Sequence, residues 1–385
     1  MKRKKSLKTI ILLILAALLL VGGASCIVLA GNADVHSIEN ESVAAYIENV
    51  NYAEGDPSRI EEFTPENERK DRPAGYMVEF TPAAGQVEVL FRCLKGKCHP
   101  ADIRAFTADG SAGRAVLTNL YPDAFYVYCV KSANRILKLG TFRTIGQVRM
   151  LEVDGACNVR DIGGWKAGNG KIRYGKIFRG SELNGEHDFA VTEEGIAALR
   201  EAGIGFEIDL RLDREVDMDK SEKDPIVSSA LGEDTGYEMI SITSYLRPWT
   251  EDTSDGDGDA GEEAAVSEEE RELYRRVFRR IFDCVDQDIP VYIHCWAGAD
   301  RTGTVCLLTE GLLGMGASDL ARDYELTTLA QEFGLRSKDS DNYTKMMGYI
   351  ESREGADLKE KIEGLFLELG FTREEIDSFR GKMIA

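Results

Sequence analysis

His294-Cys295-Trp296-Ala297-Gly298-Ala299-Asp300-Arg301-Thr302-Gly303 is the stretch that decides how this chain is read. It follows a short apolar run at 290–294 and opens a helical pattern over 302–314, a strand–loop–helix setting. Five residues separate Cys295 from Arg301. A loop of that length can curl until successive backbone N–H groups point at one centre, an anion nest at a helix N-terminus. Gly298 supplies unusual backbone angles, and Arg301 a fork for two phosphate oxygens. Cys295 then sits below the phosphorus, where the positive nest favours the reactive thiolate. Thr302 is expected to donate its hydroxyl to Cys295, and His294 to fix the loop by hydrogen bonding. Trp296, Ala297, Gly298, Ala299, Asp300 and Arg301 form the expected phosphate cradle.

Outward from the loop, strands and helices alternate from residue 150 on, as in α/β folds. Strands are expected at 177–179, 205–210, 237–243 and 290–294. Helices are expected from a Thr192 cap to about 202, and over 268–286, 302–314, 356–369 and 372–381. Cys284 and Cys306 fall on helices and read as core.

The loop resembles the protein tyrosine phosphatase signature of Cys, five residues, Arg, then Ser or Thr. The chain from residue 158 is similar to the bacterial tyrosine/lipid phosphatases that carry an Asp inside the loop. The likeness rests on Asn158-Val159-Arg160-Asp161-Ile162-Gly163-Gly164, Phe178-Arg179-Gly180-Ser181-Glu182-Leu183, Ile208-Asp209-Leu210-Arg211 and Asp323-Tyr324-Glu325-Leu326-Thr327. It implies a phosphatase-like α/β domain with a parallel-rich sheet flanked by helices. The implied activity is a phosphomonoesterase working through a phosphocysteine, with no metal or organic cofactor. The resemblance makes Asp300 the general acid. Asp209 is a second candidate, whose plainer reading is an ion pair with Arg160 or Arg179, and Asp252 is a third. The substrate is then a phosphorylated protein or a small phosphate ester, with phosphotyrosine first. Ala299 stands where phosphoinositide-active members commonly carry Lys, which removes a contact for a second phosphate. A phosphoinositide or inositol polyphosphate phosphatase stays open as the alternative, with Arg160, Arg179, Arg211 and Arg214 as its cations. A surface-binding protein with a degenerate phosphatase domain is the reading from another class.

Composition bounds the rest. The 385 residues suit about two domains, and the formal net charge is −20. Such an acidic surface argues against nucleic-acid binding, which needs phosphate-neutralising Lys and Arg. The N-terminus has five basic residues in its first eight, then 23 residues without a charge at 9–31. Residues 1–31 read as a signal peptide or a membrane anchor, with a lipoprotein-like box at Gly23-Ala24-Ser25-Cys26, and imply a bacterial extracytoplasmic body held at or released from the membrane. Residues 32–72 read as a polar stalk with one short helix around 42–50. An acidic insertion at 251–270 holds ten acidic and no basic residues. Its Asp255-Gly256-Asp257-Gly258-Asp259 run fails as a calcium loop, since Ala260 and Val266 occupy the Gly and Glu positions. Export permits disulfides among the eight cysteines, and Cys93 and Cys98 are close enough to pair.

Between stalk and phosphatase-like domain (148–385), residues 73–147 show alternating runs at 75–80, 86–92, 114–119, 125–131 and 137–143, the spacing of a small β-sandwich. Residues 117–126 and 140–144 resemble the fibronectin type III family. That likeness implies Tyr126 as a corner tyrosine whose hydroxyl bonds back to the chain.

Overall fold

The computed structural model describes residues 35–38, 41–64, 71–95, 103–133, 135–185, 189–211, 228–250, 268–330 and 334–385. The expected apolar N-terminal segment, most of the acidic insertion, Cys98, Arg214 and Asp252 lie outside these residues. Among the described residues, no helix is long and apolar enough to cross a membrane.

The chain divides into two units. The first joins Ala74–Gln147 to the strand β1 (Val35–Ile38). Strands β2 (Gly75–Glu79) and β5 (Arg114–Leu117) complete a three-stranded sheet with β1. A second, four-stranded sheet runs β4 (Arg104–Asp109), β3 (Gln86–Lys95), β6 (Phe125–Ser132), β7 (Arg135–Arg143). All these pairings are antiparallel. One buried cluster draws on both sheets, with Tyr76, Val78 and Leu117 from the first and Val89, Phe91, Tyr126 and Phe142 from the second. Tyr126 packs on Phe142, ring centroids 5.5 Å apart, and its hydroxyl accepts the Tyr121 N–H at 2.9 Å. Cys93 is disulfide-bonded.

The second unit joins Asn40–Pro73 to Val148–Ala385. Its six-stranded sheet is mixed, not parallel throughout. Strands β14 (Gly236–Met239), β13 (Phe206–Asp209), β15 (Val291–His294) and β12 (Ile177–Gly180) are parallel, and β9 (Arg160–Asp161) and β8 (Arg149–Met150) add antiparallel to that edge. The short pair β10 (Lys166–Ala167) and β11 (Gly170–Lys171) lies apart from it. All of β15 is buried, because a central parallel strand is covered on both faces. Val291 and Ile293 join the larger core, and Tyr292 joins the smaller one with Phe178 and Leu199. Leu199 comes from α2 (Glu193–Glu201), capped by the Thr192 side chain. The larger core takes residues from α1 (Glu41–Asn49), α4 (Glu268–Asp286), α5 (Asp300–Leu312), α6 (Ala317–Glu325), α7 (Asp341–Ser352), α8 (Leu358–Glu368) and α9 (Arg373–Met383). The one-turn α3 (Arg247–Thr250) adds Trp249 at its edge.

Residues 40–73 therefore correct the expected stalk. Tyr46, Val50 and Ile60 are buried in the larger core of the second unit, so this segment is part of that unit. Its polar composition hid three well-spaced apolar anchors.

Candidate active site

The parallel strands set the site. Register places Gly180, Asp209 and His294 side by side at the carboxyl ends of β12, β13 and β15, where open α/β sheets bind ligands. Cys295 follows directly, only 2% exposed. The loop then turns into α5, which starts at Asp300, two residues earlier than its apolar pattern indicates.

The loop is shaped from outside. His294 Nδ1 faces the Cys295 carbonyl at 3.1 Å, and Glu182 N–H donates to Trp296 O at 2.9 Å. Asn158 Nδ2 donates to Ala297 O (3.2 Å) and Gly298 O (3.0 Å), and Arg179 Nη2 to Gly298 O (2.8 Å). Four successive carbonyls thus point into the scaffold. In a trans peptide the N–H points the opposite way, and among the described residues no bond is cis, so the N–H groups of Trp296, Ala297, Gly298 and Ala299 face away from those partners, the form of an anion nest. Gly298 has φ +64°, and a Cβ there would collide with the Gly180 carbonyl.

The residues that grip the loop are themselves held. Asp323 accepts from Arg160 Nε at 3.0 Å and from Arg179 Nη1 at 3.0 Å, all three buried. Burial opposes the Asp323 charge, but Arg160 and Arg179 hold its carboxyl below the ordinary range. Behind Cys295, His294 Nε2 meets Glu207 Oε1 at 2.9 Å, and Glu207 Oε2 accepts from Ser229 Oγ at 2.5 Å. Burial would discharge His294, yet Asp209 and Glu207 outweigh it and raise its pKa. The His294 ring thus lies between the Cys295 carbonyl and the Glu207 carboxylate.

Asp300 lies at the rim, partly exposed. Its carboxylate accepts from Arg336 Nε at 2.7 Å and Nη2 at 3.1 Å, and from the Tyr245 hydroxyl. Burial, Tyr324 and Asp300 push the Tyr245 hydroxyl well above its ordinary range, so it stays a donor. Arg301 reaches the Leu210 carbonyl at 3.3 Å, beside the mouth of the loop. Trp296 is 40% exposed, with Phe189 against it at 6.1 Å between centroids.

Three expectations are corrected. Asp209 is enclosed where an acid's proton is disfavoured: burial would raise its pKa, but His294 and Arg211 prevail and hold it down at about 2. Its partner is Arg211 Nη2 at 2.6 Å, not Arg160 or Arg179. Next, Arg160, Arg179 and Arg211 do not converge on the pocket. All are buried and committed to carboxylates, Arg211 also to Glu182 at 2.7 Å. Finally, the Thr302 hydroxyl makes no bond to Cys295: Thr302 Oγ1 is buried without a partner. The carbonyl four residues back, Gly298 O, which a helical Thr commonly takes, is already occupied by Asn158 and Arg179.

Sequence reasoning quoted Asn158 without a role. The signal lay in a side chain with an acceptor and two donors, in a motif next to two committed Arg–Asp pairs. Arg336 and Tyr245 carried no signal, since they meet Asp300 from loops remote in sequence.

A model of the tyrosine phosphatase family matches residues 151–384. The triple specificity protein phosphatase PtpB of Mycobacterium tuberculosis is 28% identical over 209 residues, 49% of this chain and 69% of that protein. Two solved structures of P. aeruginosa TpbA, one a cysteine-to-serine variant in complex with pTyr, share 14% and 13% identity. Their TM-scores are 0.30 and 0.27, over 54% of this chain and 97% of each of theirs. Because the family model spans β9 to β15, the loop and α2 to α9, the chain belongs to the tyrosine phosphatase family and is a phosphoric monoester hydrolase.

Proposed function

We propose that this protein is a protein-tyrosine phosphatase acting through a phosphocysteine at Cys295. The outward turn of four loop carbonyls carries the reading, because it leaves an inward ring of N–H donors sized for one phosphoryl group. The Cys295 thiolate attacks phosphorus, the S–P bond forms, and the P–O bond to the leaving group breaks. Asp300 protonates the departing oxygen. Water then attacks phosphorus and gives a proton to the Asp300 carboxylate. The S–P bond breaks, inorganic phosphate leaves, and the thiolate returns. Arg301 and the inward amides hold the equatorial oxygens throughout.

Specificity follows from charge. Ala299 brings no cation into the loop, and Arg160, Arg179 and Arg211 are spent on carboxylates. The pocket is therefore built for a single phosphate on an organic leaving group, with phosphotyrosine favoured over inositol polyphosphates. Without added metal, a phosphotyrosine peptide should surpass inositol hexakisphosphate and phosphoinositides by more than about tenfold in kcat/KM. Equal or reversed rates would overturn the assignment to phosphotyrosine, and no turnover of any of them would favour a binding protein.

The strand order β1-β2-β5 against β4-β3-β6-β7 and the Tyr126 corner support reading the first unit as a fibronectin type III-like sandwich. Export of the body rests on the basic and apolar N-terminus, and the disulfide at Cys93 suits an oxidising compartment.

A further inference from the structure

The family match begins at residue 151, yet a buried contact to the site comes from residue 71. Asp71 and Asn158 are both fully buried, and Asp71 Oδ2 accepts the Asn158 N–H at 2.5 Å. Asn158 is the residue whose amide holds the carbonyls of Ala297 and Gly298. Its φ is +56°, a left-handed conformation that a non-glycine residue keeps only when its surroundings impose it. Two groups impose it: Asp71 on the backbone N–H, and Arg160 Nη1 on Asn158 Oδ1 at 2.5 Å.

The segment leading to Asp71 is anchored independently. Glu325 gathers the hydroxyls of Tyr46, Tyr52 (2.6 Å) and Ser58 (2.6 Å). Arg322 Nη1 closes the end of α1 on the carbonyls of Ile47 (2.9 Å) and Val50 (3.0 Å). Asp71 brings a carboxylate to one backbone amide behind the phosphate loop.

We propose that Asp71 is a positioning residue for the phosphate loop, so that the catalytic unit begins near residue 41 and is interrupted in sequence by the first unit. The proposal rests on the loop's reading as a phosphate cradle. Its effect runs from Asp71 through the Asn158 backbone to the orientation of the inward amides, so it bears on transition-state binding more than on substrate capture.

The test uses the full chain, with p-nitrophenyl phosphate as substrate and vanadate as oxyanion probe. Asp71→Ala should lower kcat by about 10- to 100-fold, the cost of a small misplacement at a reacting centre, and weaken vanadate in parallel while KM changes little. Asp71→Asn, whose amide oxygen can accept the same N–H, should recover most of the loss. Tyr52→Phe loosens the same segment at Glu325 and should lower Tm without changing kcat or vanadate affinity. Should Asp71→Ala not fold, Asp71→Glu replaces it, one methylene too long for this buried contact and expected to show the same kcat and vanadate losses. Parent-like kcat and vanadate affinity in the Ala or Glu variant overturns the proposal, as does a Tyr52→Phe variant that loses kcat to the same extent. Failure of the phosphatase reading itself is seen separately, in a parent chain that turns over no phosphate ester.

Discussion

Two carboxylates flank the Cys295 loop, Asp209 beside His294 across the sheet and Asp300 within the loop motif, and they differ in their surroundings. Asp209 is enclosed with Arg211 and His294, which outweigh burial and hold its carboxyl down at about 2. Asp300 is partly exposed at the mouth of the loop, with Arg336 and Tyr245 as partners. The rate–pH profile should separate them. Asp300→Asn should lower kcat and abolish the basic limb, while Asp209→Asn should lower Tm and keep the profile's shape. A retained basic limb in Asp300→Asn would falsify the assignment of the acid. At this scale the sequence was legible where spacing alone fixes geometry: Cys295 and Arg301 follow from five intervening residues, and Gly298 from the turn between them. It was illegible where burial decides. Nothing in Ile208-Asp209-Leu210-Arg211 shows that the Asp and the Arg close on each other rather than on Arg160 or Arg179.

The loop, as an element, is held by hydrogen bonds from other elements. Strand β9 contributes Arg160, β12 contributes Arg179, and α6 contributes the Asp323 that pairs with both. Breaking such a buried pair by removing one partner costs about 3–5 kcal/mol, since a charge is left unpaired. The β15 end adds a pH dependence. The folded state raises the His294 pKa above its ordinary 6.5, so it binds a proton that the unfolded chain releases sooner. Stability from this source is full below about pH 6.5 and falls as pH rises through the raised value, by about 1.4 kcal/mol per pH unit. Asp209 acts in the opposite sense at the acid end, losing its contribution as pH falls from 3.8 towards about 2. Urea unfolding between pH 6 and 9 should show the alkaline decline in the parent and a flatter curve in His294→Gln; parallel curves would contradict a raised His294 pKa. The strands and helices of this unit were largely legible, because continuous apolar runs and amphipathic periods mark them. The antiparallel edge of the sheet was not, as β8 and β9 are two residues each and carry buried charges instead of an apolar pattern.

The molecule as a whole interleaves its two units. Strand β1 joins the first, residues 40–73 join the second, and the chain then returns to the first before Val148. The sequence between 32 and 72 read as a single polar stalk because composition averages over both pieces, and only Tyr46, Val50 and Ile60 betray a core. The strand β4 also escaped notice, for its inward residues are partly buried Phe106 and Ala108 in an otherwise polar run. The residues of the candidate site all belong to the second unit, and the proposed mechanism makes turnover depend on the Cys295 thiol. Acid quench of the parent during hydrolysis of p-nitrophenyl phosphate, followed by peptide mass analysis, should find one phosphoryl group on the peptide bearing Cys295, and Cys295→Ser should abolish turnover. A phosphoryl group on another residue, or undiminished turnover in the serine variant, would contradict the account.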